Sequence, residues 1–247
     1  MSLFITSTHE ILPLHTLLTD ITSPSAAALQ DINLVIQPGQ KVGICGRTGS
    51  GKSTLLATLL RTLDLTTGTI IVDGIDLSTL PRHLIRTHLT AVPQSALYLP
   101  GTLRENLSPF SSSPPSDDLI ISALERVQLW SILRDRGGLD APLTPDSLSA
   151  GQNQLLSIAR AILQSNKIVL LDEATSSVDA ETDKVVKEVI GESFKGCTVV
   201  TVAHRPETIL GCEVVVLLEG GRVMEVGEPA VLMGRDRKLK ALLGAMG

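Results

Sequence analysis

One short run in the first quarter of the chain carries its densest chemical signal. Gly46-Arg47-Thr48-Gly49-Ser50-Gly51-Lys52-Ser53-Thr54 fits the pattern G-x-x-x-x-G-K-[ST]. Glycines at these spacings let the backbone curl round a phosphate, so that successive N–H groups point inward. A helix beginning near Lys52 adds the positive end of its dipole. Lys52 is expected to reach the β- and γ-phosphates of a nucleoside triphosphate, and the Ser53 hydroxyl to coordinate Mg²⁺. A bare glycine turn would explain the glycines but not the Lys-Ser pair that follows them.

A second signal lies far along the chain. Ile168-Val169-Leu170-Leu171 is an apolar run that ends in Asp172-Glu173. Ligands of open parallel sheets sit beyond the carboxyl ends of the strands, which predicts that these carboxylates face the phosphate loop. Asp172 is then the Mg²⁺-side carboxylate. Glu173 is the residue expected to polarise an attacking water.

The elements that must position these groups follow from periodicity. Ile32, Leu34 and Ile36 alternate before a Pro38-Gly39 turn. Lys41 to Cys45 reads as a strand, and Ser53 to Leu63 as a helix with leucines at helical spacing. Thr69 to Asp73 and Leu89 to Pro93 read as short strands, the first closed by an Asp73-Gly74 turn. Asp117 is expected to cap a helix running towards Leu133. Helices follow at Gly151 to Gln164 and Glu181 to Ile190, with buried strands at Ile168 to Asp172 and Thr198 to Ala203. Val214 to Leu218 and Arg222 to Val226 flank Gly220-Gly221 as a hairpin. Apolar strands alternating with helices predict an α/β fold with a mainly parallel sheet covered on both faces. Few strand signals occur from about residue 78 to 164, which predicts a helical insertion there. Residues 1–28 read as a weakly specified leader, and residues 29–247 as one domain.

Composition narrows the class. The chain is 43% hydrophobic and 19% charged, enough to bury a core, while aromatics make up only 2%, so Val, Ile, Leu and Ala must fill it. A formal net charge of -5 argues against a nucleic-acid partner. The three cysteines, Cys45, Cys197 and Cys212, match no metal-site spacing and sit among apolar neighbours, as buried thiols of a reducing compartment do. No apolar run reaches the ~20 residues of a membrane span, and the N-terminus lacks the basic start of a signal peptide. Any link to a membrane is expected to be indirect.

Phosphate loops and acidic strand ends occur in many NTPases. Leu148-Ser149-Ala150-Gly151-Gln152 is more specific. Here the chain resembles the ATP-binding cassette (ABC) family, whose signature reads L-S-x-G-Q. The remaining motifs agree in order. Gln94 resembles the family's Q-loop glutamine, Ser176-Ser177-Val178-Asp179 its D-loop, and His204 its switch histidine. The resemblance runs from about Leu29 to Gly247. GRTGSGKS, VPQSALYLPGTLRENLSPF and LLDEATSSVDAETD most resemble the second cassette of C-subfamily (multidrug-resistance-associated) exporters.

The resemblance implies a P-loop NTPase (RecA-like) core with a helical subdomain and a small antiparallel β subdomain. It implies ATP hydrolysis with Mg²⁺, coupled to export. Two cassettes close head-to-tail, so that Ser149 and Gly151, with Ala150 and Gln152, meet the γ-phosphate held by the opposite phosphate loop. Gln94 contacts Mg²⁺, His204 holds the γ-phosphate and attacking water, and Asp179 couples the two sites. The implied partners are a second nucleotide-binding domain and transmembrane domains, which would hold the chain at the cytoplasmic face of a membrane. The expectation is that the chain is a piece of a longer transporter. A regulatory module that binds ATP without turning it over, or a soluble ABC protein outside transport, are the alternatives. One departure stands out: the slot where the family stacks an aromatic on adenine falls near Ile21, and no Phe, Tyr or Trp occurs between Phe4 and Tyr98. Weak intrinsic affinity for ATP is expected from it. A second is Asn153, where the family often has Arg.

Overall fold

A computed structural model of the chain describes residues 28–95, 97–109, 113–172, 180–235 and 237–244. In chain order the elements begin with β1 (Lys41–Gly46), α1 (Lys52–Leu59), β2 (Ile71–Val72), β3 (Ile75–Asp76) and α2 (Arg82–His88). Next come β4 (Leu89–Val92), α3 (Leu103–Leu107), α4 (Asp117–Arg126), α5 (Trp130–Asp135), α6 (Ala150–Gln164), β5 (Ile168–Asp172) and α7 (Ala180–Ser193). The chain ends with β6 (Thr198–Val202), α8 (Pro206–Leu210), β7 (Val214–Glu219), β8 (Arg222–Gly227), α9 (Pro229–Arg235) and α10 (Arg237–Gly244). Two compact units result. One holds the chain up to Leu89 and again from Gly196, the other Thr90–Lys195.

In the first unit the strand order is β6-β1-β7-β8. β1 runs parallel to both β6 and β7, β8 turns back antiparallel to β7, and β2 and β3 form a separate antiparallel pair. The architecture is therefore α/β with mainly parallel strands, as the alternation of apolar runs and helices predicts. β1 and β6 are buried along almost their whole length, which is what a strand covered on both faces requires. Cys45, Val215 and Leu217 form a core with Ile209 of α8, Leu232 of α9, and Leu239 and Leu243 of α10. Gly220 and Gly221, at φ 55° and 77°, supply the two left-handed residues of the tight β7–β8 turn.

In the first unit, three boundaries differ from the sequence reading. Residues 29–36 keep an alternating burial pattern, yet only isolated bridges at Gln30 and Leu34 replace a strand ladder. Helix α1 stops at Leu59, because Arg61 turns left-handed at φ 52°. The Arg61 and Thr62 N–H groups then fold back on the Thr58 and Ala57 carbonyls, a Schellman closure that releases Leu63 from the helix. The strand expected over Thr69 to Asp73 is shorter, with two residues on each side of the Asp73-Gly74 turn.

In the second unit α6 packs against α3, α4 and α7. Ser116, not Asp117, caps α4, accepting from the Leu119 N–H. Asp117 is freed to pair with Arg104, which also bonds Asp140 at 3.1 Å. The helix expected to reach Leu133 breaks into α4 and α5, because Gln128 takes φ 58°.

Candidate functional site

The phosphate loop leaves β1 at Gly46 and enters α1 at Lys52. Gly46 has φ 154°, and a methyl group there would lie 2.2 Å from the Leu218 carbonyl oxygen of β7. Gly51 has φ 102°, and a methyl group there would meet the Leu29 side chain at 2.7 Å and the Ala28 carbonyl at 3.0 Å. Gly49, at φ 80°, faces open space. Ser50 is buried, and its carbonyl accepts from the Gly221 N–H of the hairpin turn at 3.1 Å. The loop is thus clamped at both roots and open at its tip.

Lys52 is 6% exposed. Its ammonium donates to the Gly46 carbonyl at 2.9 Å and the Arg47 carbonyl at 3.1 Å. The N-cap of α1, Gly51, offers no side-chain cap, and the first turn holds no acidic residue. An uncapped helix start, an adjacent ammonium and an open glycine tip fit a phosphate group. Ser53 is exposed on the same turn. Next to the loop, burial pushes the Cys45 thiol up to about 12, although the nearby Lys52 charge pulls the other way.

His204 leaves β6 on the same edge of the sheet. Ile44 pairs with Val202 across the parallel ladder, and the Ala203 N–H donates to the Ile44 carbonyl at 3.1 Å. Gly46 and His204 each follow that pair by two residues on adjacent strands. The structure brings these two predicted groups together, and half-buries the His204 ring.

In the second unit, Asp172 is the last residue of β5, at a strand's carboxyl end as expected. Gln94 is exposed just past β4. Hydroxyl, amide and carboxylate oxygens at Ser53, Gln94 and Asp172 are the donor types that suit a hard cation such as Mg²⁺. Among the described residues no group of three or more His, Cys, Asp or Glu is placed to hold a metal ion. Glu173 and Asp179 lie outside the described residues, as does Ile21.

The signature heads α6. Ser149 is its N-cap, with a reciprocal box: the Ser149 hydroxyl accepts from the Gln152 N–H at 3.2 Å, and the Ser149 N–H donates to Gln152 Oε1 at 3.0 Å. Ser149 and Ala150 are exposed, while Gly151 is buried. A methyl group on Gly151 would sit 2.7 Å from Thr182 Cγ2 of α7. Gly151 therefore lets α7 approach while the helix tip stays open to solvent. Asn153, at the departure from the family pattern, donates to the Leu148 carbonyl at 3.3 Å.

Sequence reading missed Thr182 as the partner of Gly151. It also missed the pairing of buried Asn106 with half-buried Arg160. The Thr102-x-x-Glu105 spacing, a capping-box pattern, marks α3 and would have drawn attention to Asn106.

The family model described as ABC transporter matches residues 29–176. The chain belongs to the ABC transporter family. It is an ATP-binding domain of that family. The chain is 45% identical over 213 residues to "ABC multidrug transporter B" of Aspergillus fumigatus, covering 86% of this chain and 14% of that protein. It is 45% identical over 221 residues to "ABC transporter gloK" of Glarea lozoyensis, covering 90% and 17%. It is also 43% identical over 208 residues to "ABC transporter C family member 5" of Arabidopsis thaliana, covering 83% and 14%. The chain thus spans roughly a seventh of the length of these relatives.

Proposed function

We propose that this ABC domain hydrolyses ATP as half of a nucleotide sandwich and so powers export through membrane domains. The observation that carries the reading is the exposed tip of α6. A fifteen-residue helix presents Ser149 and Ala150 to solvent, where the phosphate loop of a second domain has access to them. The relatives' names, which include a multidrug transporter and a C-family member, support export and the C-subfamily assignment.

Each residue has a role by type and place. The tip of the loop, Arg47 to Gly51, wraps the phosphates with main-chain N–H groups. Lys52 and the start of α1, Ser53 and Thr54, add positive potential where charge builds on the transferring phosphoryl group. Ser53, Gln94 and Asp172 would hold Mg²⁺, which supplies charge neutralisation between the phosphates. Glu173 orients and polarises the attacking water, and His204 holds the γ-phosphate from the neighbouring strand end. Ser149, Ala150, Gly151 and Gln152 reach the phosphate of the opposite domain, and Asp179 links the two sites. We place the helical subdomain at about residues 78–164. The partners are a second nucleotide-binding domain and transmembrane domains, which hold this one at the cytoplasmic face. The net charge of -5 supports the absence of a nucleic-acid partner.

The test is Glu173→Gln. With ATP and Mg²⁺, light scattering should find a stable dimer of this variant and a monomer of the unsubstituted chain. Hydrolysis by Glu173→Gln at the unsubstituted rate would remove Glu173 as the base. A variant that stays monomeric at saturating ATP would remove the sandwich.

A further inference from the structure

Asn106 of α3, in the second unit, is 0% exposed. Its Nδ2 donates to the Leu99 carbonyl at 2.9 Å and the Thr102 carbonyl at 3.0 Å. Its Oδ1 accepts from the Leu99 N–H at 3.0 Å and from Arg160 Nη2 at 3.3 Å. Arg160 Nε donates to the Asn106 main-chain carbonyl at 2.6 Å. The Asn106 amide therefore pairs with both main-chain groups of Leu99, as a neighbouring strand would. Leu99 lies five residues after Gln94, and Arg160 lies on the helix that Ser149 caps.

We propose that Arg160 and Asn106 are positioning residues that lock the segment following Gln94 to the signature helix. The two then travel as one body when the tip of α6 is drawn onto a partner's phosphate. This rests on the reading of α6 as the phosphate-facing helix. Simple core filling does not account for the pair. Apolar side chains would occupy the same volume without the cost of burying a guanidinium, and burial does push the Arg160 group down. The Asn106 side chain bonds both main-chain groups of Leu99 and so fixes the path of that loop, while Arg160 grips the main-chain carbonyl and side-chain oxygen of Asn106 and ties it to α6. Forked donation from Arg is suited to this and a Lys ammonium is not.

The test measures position directly. Spin labels are placed at Leu97→Cys and Ala150→Cys, both exposed sites, in the full chain with Cys45, Cys197 and Cys212 replaced by Ala. Dipolar spectroscopy should give one narrow distance with Arg160 present and a broadened or second distance in Arg160→Gln. In the unlabelled chain, Arg160→Gln should lower kcat about tenfold with KM for ATP unchanged. A single narrow distance in Arg160→Gln overturns the proposal, as does an unchanged kcat beside a broadened distance. Should Arg160→Gln fail to fold, Arg160→Lys, which keeps the charge and stem, is read by the same two criteria. A parent chain without turnover would sink the hydrolysis reading instead, and the distance measurement alone would then decide the lock.

Discussion

Lys52 reaches back over its own loop and donates to the Gly46 carbonyl at 2.9 Å. The contact holds the ammonium at the root of the loop, beside the start of α1. Pre-placed charge costs no reorganisation when negative charge builds during reaction. Lys52→Ala should therefore lower the ATPase rate by ~100-fold or more, measured by phosphate release. A Lys52→Ala chain that releases phosphate at the parent rate would deny Lys52 that role.

The glycines of the loop do different jobs, and alanine scanning should separate them. Gly46→Ala drives a methyl to 2.2 Å from a main-chain oxygen of β7, and a strand in a packed sheet cannot give way. That variant should be insoluble or lose its cooperative melt. Gly49→Ala meets nothing within 4 Å, so it carries only the left-handed backbone penalty of about 1–2 kcal/mol. It should fold, melt a few degrees lower by roughly that penalty, and bind a fluorescent ATP analogue poorly because the methyl stands at the open tip. Equal melting temperatures for the two variants would contradict the clamped-root, open-tip geometry.

Gly151 and Thr182 make a packing prediction at the signature. Gly to Ala inside a helix is ordinarily favourable by about 1 kcal/mol. Here the added methyl sits 2.7 Å from Thr182 Cγ2, and overpacking costs about 1–3 kcal/mol. Thr has two favoured rotamers in a helix, but Thr182 Oγ1 and Cβ also lie 3.1 and 3.3 Å from the added methyl, so rotation does not clear the contact and the clash should win. Gly151→Ala should lower stability by roughly 1 kcal/mol in urea melts. Adding Thr182→Ser removes the clashing methyl and should restore the parent value or exceed it. A more stable Gly151→Ala single variant would show that α7 moves aside freely.

How far the sequence discloses this architecture depends on the range of the interaction. The phosphate loop, β1, β5, β6 and the Gly220-Gly221 hairpin are legible because each is a local pattern with a local cause. Leu63 carries the helical spacing of α1, yet the Arg61 turn leaves it outside. Asp117 is a good cap by type, but Ser116 takes the place and Asp117 is used by Arg104, 13 residues away. Gln128 breaks a continuous helical pattern with a left-handed backbone that its residue type does not announce. Asn106 and Arg160 are 54 residues apart, and no spacing rule links them. The motif residues at Gly46 to Thr54, Gln94, Ser149 to Gln152, Asp172 and His204 stand out by type and spacing alone, and their roles remain the reading proposed above. What the structure adds is that Gly46 and His204 share one strand edge and that Gly151 is held by Thr182.

The thiols give a pH prediction. Burial pushes Cys45 up to about 12 and Cys212 up to about 11, whereas an unfolded thiol ionises near 8.5. The folded state thus favours the protonated form. Its contribution to stability is whole below pH about 8.5 and declines as pH rises towards the folded values. Only the unfolded chain loses its proton easily in that window. Chemical denaturation of the parent should show stability falling between pH 8 and 10, by roughly the range just above the free-thiol value. The Cys45→Ala, Cys212→Ala double variant should fall less over the same range. The same burial keeps the thiolate scarce, about one part in a thousand or fewer at pH 8. A disulfide reagent should then label these two residues slowly in the native chain and rapidly in denaturant. Parallel stability curves for parent and double variant, together with fast native labelling of Cys45, would mean that β1 opens far more readily than its place at the centre of the first unit allows.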